Sequence, residues 1–118
     1  MQENNATQQS ATFIKDENLE WEPVAPGMTR KILGYDDKIM MVRVDFKKGG
    51  IGQVHNHYHS QTTYVTRGVF EVQIDSVKQI LKEGDSFYIP PYVDHGAVCL
   101  EDGELIDVFS PIREDFMQ

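Results

Sequence analysis

The chain has 118 residues, a formal net charge of -8 at pH 7 and an isoelectric point near 4.8, which describes one acidic domain with a single core. This charge argues against a broad surface for nucleic acid or for an anionic membrane. A small anionic ligand stays compatible with it, because a metal ion and one arginine can set the field inside a pocket. There is no apolar run of membrane-spanning length, and the polar start does not resemble a secretory signal, so we expect a cytoplasmic location.

The first part of the chain divides into an arm and the start of a domain. Residues 1–12 are rich in Gln, Asn, Thr and Ser, which predicts a flexible polar arm, and residues 13–118 form the predicted domain. Phe13, Ile14 and Trp21 are the first side chains with apolar surface to bury. Together with the open strand edges of a small β-domain, they predict a homodimer.

Short strands separated by turns account for the next part of the chain. Residues 29–33 are predicted as a strand and residues 34–37 as a turn. Between residues 39 and 46, apolar and polar side chains alternate with the period of two that is typical of a half-buried strand. Residues 47–50, Lys-Lys-Gly-Gly, then turn the chain before a histidine-rich run.

The second half of the chain continues this pattern of short strands separated by turns. It predicts strands over residues 64–67, 69–74, 77–82, 86–89, 95–100 and 105–109, with turns at 67–68, 83–85 and 101–103. The pattern has no helical period. It therefore indicates an all-β antiparallel sandwich or barrel.

The run HNHYHSQ, residues 55–61, contains a candidate metal site. In an extended strand His55 and His57 point to the same face, which is a spacing suited to metal ligands. The side-chain oxygen of Gln61 can approach the same point from the following strand, and His95 is the one later histidine able to join them. His59 is interpreted as a solvent-exposed loop residue.

Two segments resemble the two sequence motifs of the cupin family. Residues 49–68 match the first motif, with its glycines and its HxH pair, and residues 84–99, GDSFYIPPYVDHGAVC, match the second. The resemblance implies a single-domain cupin, a jelly-roll barrel or double-stranded β-helix. It also implies one divalent transition metal ion, such as Ni, Zn, Fe or Mn, whose ligands are His55, His57, Gln61 and His95.

The chain departs from the usual cupin pattern at three positions. Gln61 replaces a glutamate, Tyr92 replaces a glycine and Cys99 replaces an asparagine. An amide ligand leaves a divalent ion with its full charge, which favours binding of a carboxylate or alkoxide over redox chemistry. Cys99 itself is predicted to be a small buried side chain.

The end of the chain is similar to the small cupins of pectin and alginate breakdown, the KdgF type. The similarity extends from Trp21 to Phe116 and implies a catalytic set of Asp107, Phe109 and Arg113. Members of this type convert 4,5-unsaturated monouronates, the products of pectin or alginate lyases, to the linear 5-keto-4-deoxyuronate. The resemblance thus implies a small anionic sugar acid as the ligand.

The residues at this end also have simpler interpretations. Asp107 and Phe109 alternate along one strand and so share a face directed to the barrel interior. The pKa of Asp107 is raised by burial if the carboxylate is unpaired, and lowered if it meets Arg113 or a metal. Asp107 is also explained as an acceptor for a buried amide, and Arg113 as a surface cation beside Glu114 and Asp115.

Two further classes of function fit the same fold. One is a cupin metalloenzyme of another type, such as a dioxygenase or an isomerase of a small acid. The other is a cupin that binds a small molecule without turnover. Oxygen consumption by an Fe(II)-loaded sample distinguishes the first of these from ring opening.

Overall fold

The computed structural model describes residues 8–117, most of which lie in eight strands joined in antiparallel pairs. The strands are β1 Glu22–Ala25, β2 Met28–Asp36, β3 Ile39–Phe46, β4 Ile51–His55, β5 Ser60–Ile74, β6 Val77–Lys82, β7 Ser86–Ile89 and β8 His95–Ser110. Short 3-10 turns cover Asp16–Asn18 and Glu114–Met117. Within this described part, none of the helices is long and apolar enough for a membrane span.

The two long strands β5 and β8 pair along their whole length and belong to two layers at once. The first half of β5 and the second half of β8 lie in the order β1-β2-β3-β8-β5-β7. The other halves lie in the order β4-β8-β5-β6. This arrangement confirms the predicted all-β antiparallel single domain of jelly-roll type.

The chain passes from one layer to the other through two glycines that face each other. A Cβ atom built on Gly68 would lie 2.5 Å from the Cα of Gly103, and one on Gly103 would lie 2.6 Å from the carbonyl oxygen of Arg67. Gly68 also has a φ of +87°, a conformation that side chains disfavour. The predicted turns at 67–68 and 101–103 are wrong, because these residues form bends within continuous strands, where the register shifts.

The core lies between the two layers. Strand β3 follows the predicted alternation, with Met40, Val42, Val44 and Phe46 buried. Phe46 meets Phe70 of the other layer edge to face, with ring centroids 5.1 Å apart. This contact joins the layers at the end of the barrel opposite the histidines.

Strand β2 is longer than the sequence pattern predicts. It continues to Asp36, and the predicted turn at residues 34–37 is wrong because the register shift between Ile32 and Tyr35 absorbs Gly34 within the strand. The chain reverses instead at residues 37–38, where the Asp36 carboxylate accepts a hydrogen bond of 2.8 Å from the Lys38 backbone N–H.

The segment before the barrel is attached to β2. Within the predicted arm, residues 1–7 lie outside the described part of the chain. The Ser10 backbone N–H donates to the Tyr35 carbonyl at 2.9 Å. Further along, Trp21 covers the cationic groups of Lys31 and Arg43, which lie 4.6 and 5.1 Å from its rings. The division of the chain at residue 12 stays a prediction.

Candidate functional site

Three histidines meet at one end of the barrel. His55 is the last residue of β4 and His95 is the first residue of β8, and antiparallel pairing sets their Cα atoms opposite each other. His57 follows in the loop. The ring centroids of the three lie 4.5 to 5.5 Å apart, and one ring nitrogen from each lies within 4.8 Å of the others. The geometry needed for a shared metal ion is therefore present.

The way in which His57 reaches this point differs from the sequence prediction. His57 does not share an extended strand with His55, because β4 ends at His55. Two contacts fix the loop instead. The His57 carbonyl accepts a hydrogen bond from the Tyr92 backbone N–H at 2.7 Å, and Asn56 donates to the Asp94 carboxylate at 2.8 Å. The loop therefore depends on the turn that precedes His95.

All three rings have the same hydrogen-bonding arrangement, in which Nδ1 faces a backbone carbonyl. The pairs are His55 with Gln53 at 2.8 Å, His57 with His59 at 3.1 Å, and His95 with Val93 at 2.9 Å. A carbonyl only accepts, so each Nδ1 carries a proton, and each neutral ring keeps a lone pair on Nε2. Burial, the main cause, lowers the pKa of His57 and lowers that of His95 to about 4, which favours neutral rings at pH 7.

The donor set fits a divalent transition metal. The Nε2 atom of His95 is buried, and no residue in the 8–117 range hydrogen-bonds to it. The Nε2 lone pair of His57 faces the side-chain oxygen of Gln61 at 3.0 Å, so two acceptors point at each other. A cation between such groups satisfies both, and imidazole suits several first-row metals.

Asp107 lies in the same cavity as His55 and His95. The cavity has a volume of about 360 Å³, and its wall includes His55, Gln61, His95 and Asp107. The Asp107 carboxylate accepts a hydrogen bond of 2.7 Å from the hydroxyl of Thr63. Burial is the largest influence on its pKa and raises it to about 6, although this hydrogen bond acts in the opposite direction. Asp107 is thus a carboxyl group that changes protonation close to neutral pH.

Phe109 and Arg113, the other two residues of the implied catalytic set, also line this cavity. Phe109 is almost fully buried. The Arg113 side chain is 11% exposed, and its guanidinium lies 5.0 Å from the ring centroid of Phe109 and 4.3 Å from that of Phe116. Its Nε and Nη2 atoms donate to the Asp115 carboxylate at 3.1 and 2.9 Å. Arg113 is therefore a pocket cation that is held in place by an acidic neighbour.

His59 is not the exposed loop residue that the sequence predicted. It is 5% exposed, because the loop turns its ring inward against Tyr58 and Phe109. Its Nε2 donates to the Ile112 carbonyl at 2.9 Å, and its Nδ1 has no hydrogen-bond partner in the described chain. Burial lowers its pKa, which favours the neutral ring at pH 7. His59 thus attaches the loop of His57 to the segment that carries Arg113.

The sequence interpretation missed two other polar residues of this region. Thr63 is 1% exposed and lies between Gln61 and Asp107. Arg30 lines the cavity, pairs with Glu22 at 2.7 Å and covers the ring of Phe116 at 3.9 Å. Strand alternation from Gln61 was a sufficient signal for Thr63, whereas nothing in the β2 sequence pointed to Arg30. Cys99 is buried, as predicted.

Comparison with known proteins identifies the family. Residues 42–109 match the Cupin domain family. The chain is 49% identical over 107 residues to the pectin degradation protein KdgF of Dickeya dadantii, an alignment that covers 89% of this chain and 96% of the relative.

Two solved structures are similar to this chain over nearly its whole length. An RmlC-like cupin from Shewanella frigidimarina is 50% identical with a TM-score of 0.90, covering 92% of this chain and 98% of that one. KdgF from a Halomonas species is 40% identical with a TM-score of 0.87, covering 91% and 99%. The barrel, the three histidines and these alignments lead to one conclusion: the chain belongs to the cupin family and, within it, to the KdgF type.

Proposed function

We propose that this protein is a metal-dependent enzyme that converts 4,5-unsaturated monouronates, released by pectin or alginate lyases, to the linear 5-keto-4-deoxyuronate. The single observation that carries the proposal is the identity of 49% with the pectin degradation protein KdgF over nearly the whole chain. The cavity that Asp107 and Arg113 share with His55 and His95 supports it, because it would combine a proton carrier, a cation and part of a metal site.

The metal would be held by His55, His57, Gln61 and His95. As a Lewis acid, a divalent ion at these residues supplies charge stabilisation to the oxygens of the sugar. The ligands are neutral, so they do not reduce the charge of the ion. This property suits a substrate that carries its own carboxylate.

Arg113 would bind the substrate carboxylate. A guanidinium pairs with a carboxylate through two parallel hydrogen bonds, which sets the orientation of the ring as well as its position. Asp115 already occupies Nε and Nη2, so the substrate meets the remaining edge of the guanidinium or displaces Asp115, which is 59% exposed. Phe109 forms an apolar wall beside this cation and excludes water.

Asp107 would transfer the protons. In the reaction, the hydroxyl at C1 loses its proton as the bond between C1 and the ring oxygen breaks, which yields an aldehyde at C1 and an enolate at C5. A proton then reaches C4, and the enolate becomes a ketone. The ionised Asp107 accepts the first proton and delivers the second, so the carboxylate is regenerated and the net change is an isomerisation.

The test follows the absorbance of the conjugated alkene. Purified protein is stripped of metal, reloaded separately with Ni²⁺, Zn²⁺ or Mn²⁺, and added to unsaturated galacturonate and to unsaturated mannuronate. We expect loss of absorbance with at least one metal, and no loss after chelation. Stable absorbance with every metal and both substrates would contradict the proposal.

The competing functions have their own readouts in the same samples. Oxygen uptake by the Fe(II)-loaded protein would indicate a dioxygenase. Binding of the uronate without loss of the alkene would indicate a non-catalytic cupin. Oxygen uptake is not expected, because the neutral Gln61 would leave the ion its full divalent charge, which favours binding of an oxyanion over redox chemistry. Binding without turnover is not expected, because Asp107 lies in the wall of the same cavity and can carry a proton.

We further propose a homodimer. Phe13 is 90% exposed, and Val24 at the β1 edge and Val77 on the β6 edge are also exposed, so apolar surface at open strand edges stays available. Light scattering at micromolar concentration tests this directly, and a single species with the mass of one chain would contradict it. The cytoplasmic location stays a prediction from the sequence.

A further inference from the structure

A chain of two hydrogen bonds connects the candidate metal ligand Gln61 to Asp107 through Thr63. The amide nitrogen of Gln61 donates to the Thr63 hydroxyl at 3.0 Å, and this hydroxyl donates to the Asp107 carboxylate at 2.7 Å. The amide nitrogen also lies 3.4 Å from the same carboxylate oxygen. Thr63 is 1% exposed, so water does not replace it.

When Asp107 is ionised, this chain of hydrogen bonds has only one consistent direction. An ionised carboxylate accepts hydrogen bonds and cannot donate, so the single hydroxyl proton of Thr63 is directed to Asp107. The hydroxyl oxygen then has only acceptor capacity left for Gln61. The amide must therefore present its NH₂ group to Thr63 and its oxygen to the opposite side.

The opposite side is the metal site. The Gln61 side-chain oxygen lies 3.0 Å from Nε2 of His57. A flipped amide would place NH₂ among the histidine lone pairs, and a primary amide nitrogen is not a metal ligand. A glutamine at this position therefore needs a contact that prevents the amide from flipping. A glutamate has two equivalent oxygens and needs no such contact.

We propose that Thr63 is a positioning residue whose hydroxyl holds the Gln61 amide with its oxygen toward the metal. The inference rests on the proposed metal centre. It adds a residue that is not one of the four proposed ligands and does not line the cavity. It also explains how a glutamine amide can act as a ligand at a position where the usual cupin residue is a glutamate. Outer partners of this kind set the affinity of a metal site by orienting its ligands.

The experiment measures Ni²⁺ binding by calorimetry with metal-stripped full-length protein. We expect Thr63→Val, which keeps the shape of the side chain and removes the hydroxyl, to weaken Ni²⁺ binding by about 10- to 100-fold. Thr63→Ser restores the hydroxyl and is expected to bind close to the wild-type value. Thr62→Val is the matched control, because the Thr62 hydroxyl faces away from the site and donates to the Phe87 carbonyl.

A second set of variants, built on Gln61→Glu, distinguishes an orienting role of the Thr63 hydroxyl from a role in packing. In Gln61→Glu, either carboxylate oxygen can meet the metal, so adding Thr63→Val should leave the Ni²⁺ dissociation constant almost unchanged. A purely structural role for Thr63 would instead weaken binding equally in both backgrounds. Circular dichroism confirms that each variant is folded, and Thr63→Ala takes the place of Thr63→Val if the valine variant does not fold.

The outcomes distinguish this inference from the proposed function. Tight Ni²⁺ binding by the wild type with equal binding by Thr63→Val would overturn the role of Thr63 and leave the metal centre intact. Absence of Ni²⁺ binding by the wild type would overturn the metal centre itself. Equal losses in the Gln61 and Gln61→Glu backgrounds would also overturn the positioning role.

Discussion

The backbone N–H of Tyr92 donates a 2.7 Å hydrogen bond to the carbonyl of His57, and it does so from a left-handed conformation with a φ of +67°. A non-glycine residue with a bulky side chain rarely adopts this region. The position is one at which cupins usually carry glycine. The turn before His95 therefore maintains a strained residue in order to hold the loop of His57.

Replacing Tyr92 by glycine should relieve this strain. The left-handed region costs a side chain about 1–2 kcal/mol, and the greater freedom of glycine in the unfolded chain offsets part of the gain. We expect Tyr92→Gly to raise the free energy of unfolding by about 0.5–1 kcal/mol in urea denaturation. Tyr92→Ala is the control, because it removes the exposed ring and keeps the Cβ atom, and an equal gain there would contradict the explanation.

Replacing Arg113 by lysine should weaken substrate binding. Lysine keeps the charge and loses the planar fork that matches a carboxylate. We expect kcat/KM on unsaturated uronate to fall by about 10- to 100-fold, mainly through KM. Arg67→Lys serves as the comparison, since Arg67 forms an exposed ion pair with Asp45 outside the cavity. A similar fall for both variants would show that the loss is not specific to the pocket.

The raised pKa of Asp107 predicts how pH affects the metal-free protein. The carboxyl titrates near 3.8 when unperturbed and at about 6 when folded. The folded state therefore binds this proton more strongly between these values, so the contribution of Asp107 to stability falls as the pH rises through this window. An asparagine at this position does not ionise, so it does not lose stability in this way as the pH rises.

Asp107→Asn should therefore be more stable than the wild type at pH 8 and similar to it at pH 4. We expect the difference in unfolding free energy to grow by about 1–3 kcal/mol over this range. Other groups titrate alike in both proteins, so they cancel in the difference. A difference that stays constant with pH would assign Asp107 an ordinary pKa.

The same substitution should also reduce activity. When Asp107→Asn is loaded with metal, we expect its kcat to fall by about 10²- to 10⁴-fold.

The buried His59 predicts a coupling between the loop of His57 and Arg113. His59→Phe removes the donor to the Ile112 carbonyl, which leaves a buried acceptor unpaired at a cost of about 1–3 kcal/mol. Because Ile112 precedes Arg113, we also expect a higher KM for the uronate. His59→Gln keeps a donor near the position of Nε2 and should recover both values. Equal losses of unfolding free energy in the two variants would argue for packing of the imidazole ring alone.

The sequence was sufficient to predict the fold, and motif spacing selected His55, Gln61 and His95, which the structure brings to one end of the barrel. The resemblance to the KdgF type selected Asp107, and strand alternation predicted that this residue faces the barrel interior, where it lines the cavity. His59 was correctly placed in a loop but wrongly taken to be exposed, because the loop turns its ring inward against Phe109, and no sequence pattern shows such a contact. The glycines at 68 and 103 were taken for turns, since the same residue type serves a reversal and a close crossing of strands, and only the pairing partner distinguishes the two.

Strand β8 begins at His95 and reaches Asp107 without a break, so a candidate metal ligand and a candidate proton carrier are parts of one backbone segment. A bend at Gly103, packed against Gly68, lies between them. The distance between His95 and Asp107 is therefore set by the length of one strand and by the angle of its bend. A Cβ atom at Gly103 would lie 2.6 Å from the carbonyl oxygen of Arg67. We therefore expect any larger residue at this bend to push the strands apart and to change the distance between His95 and Asp107.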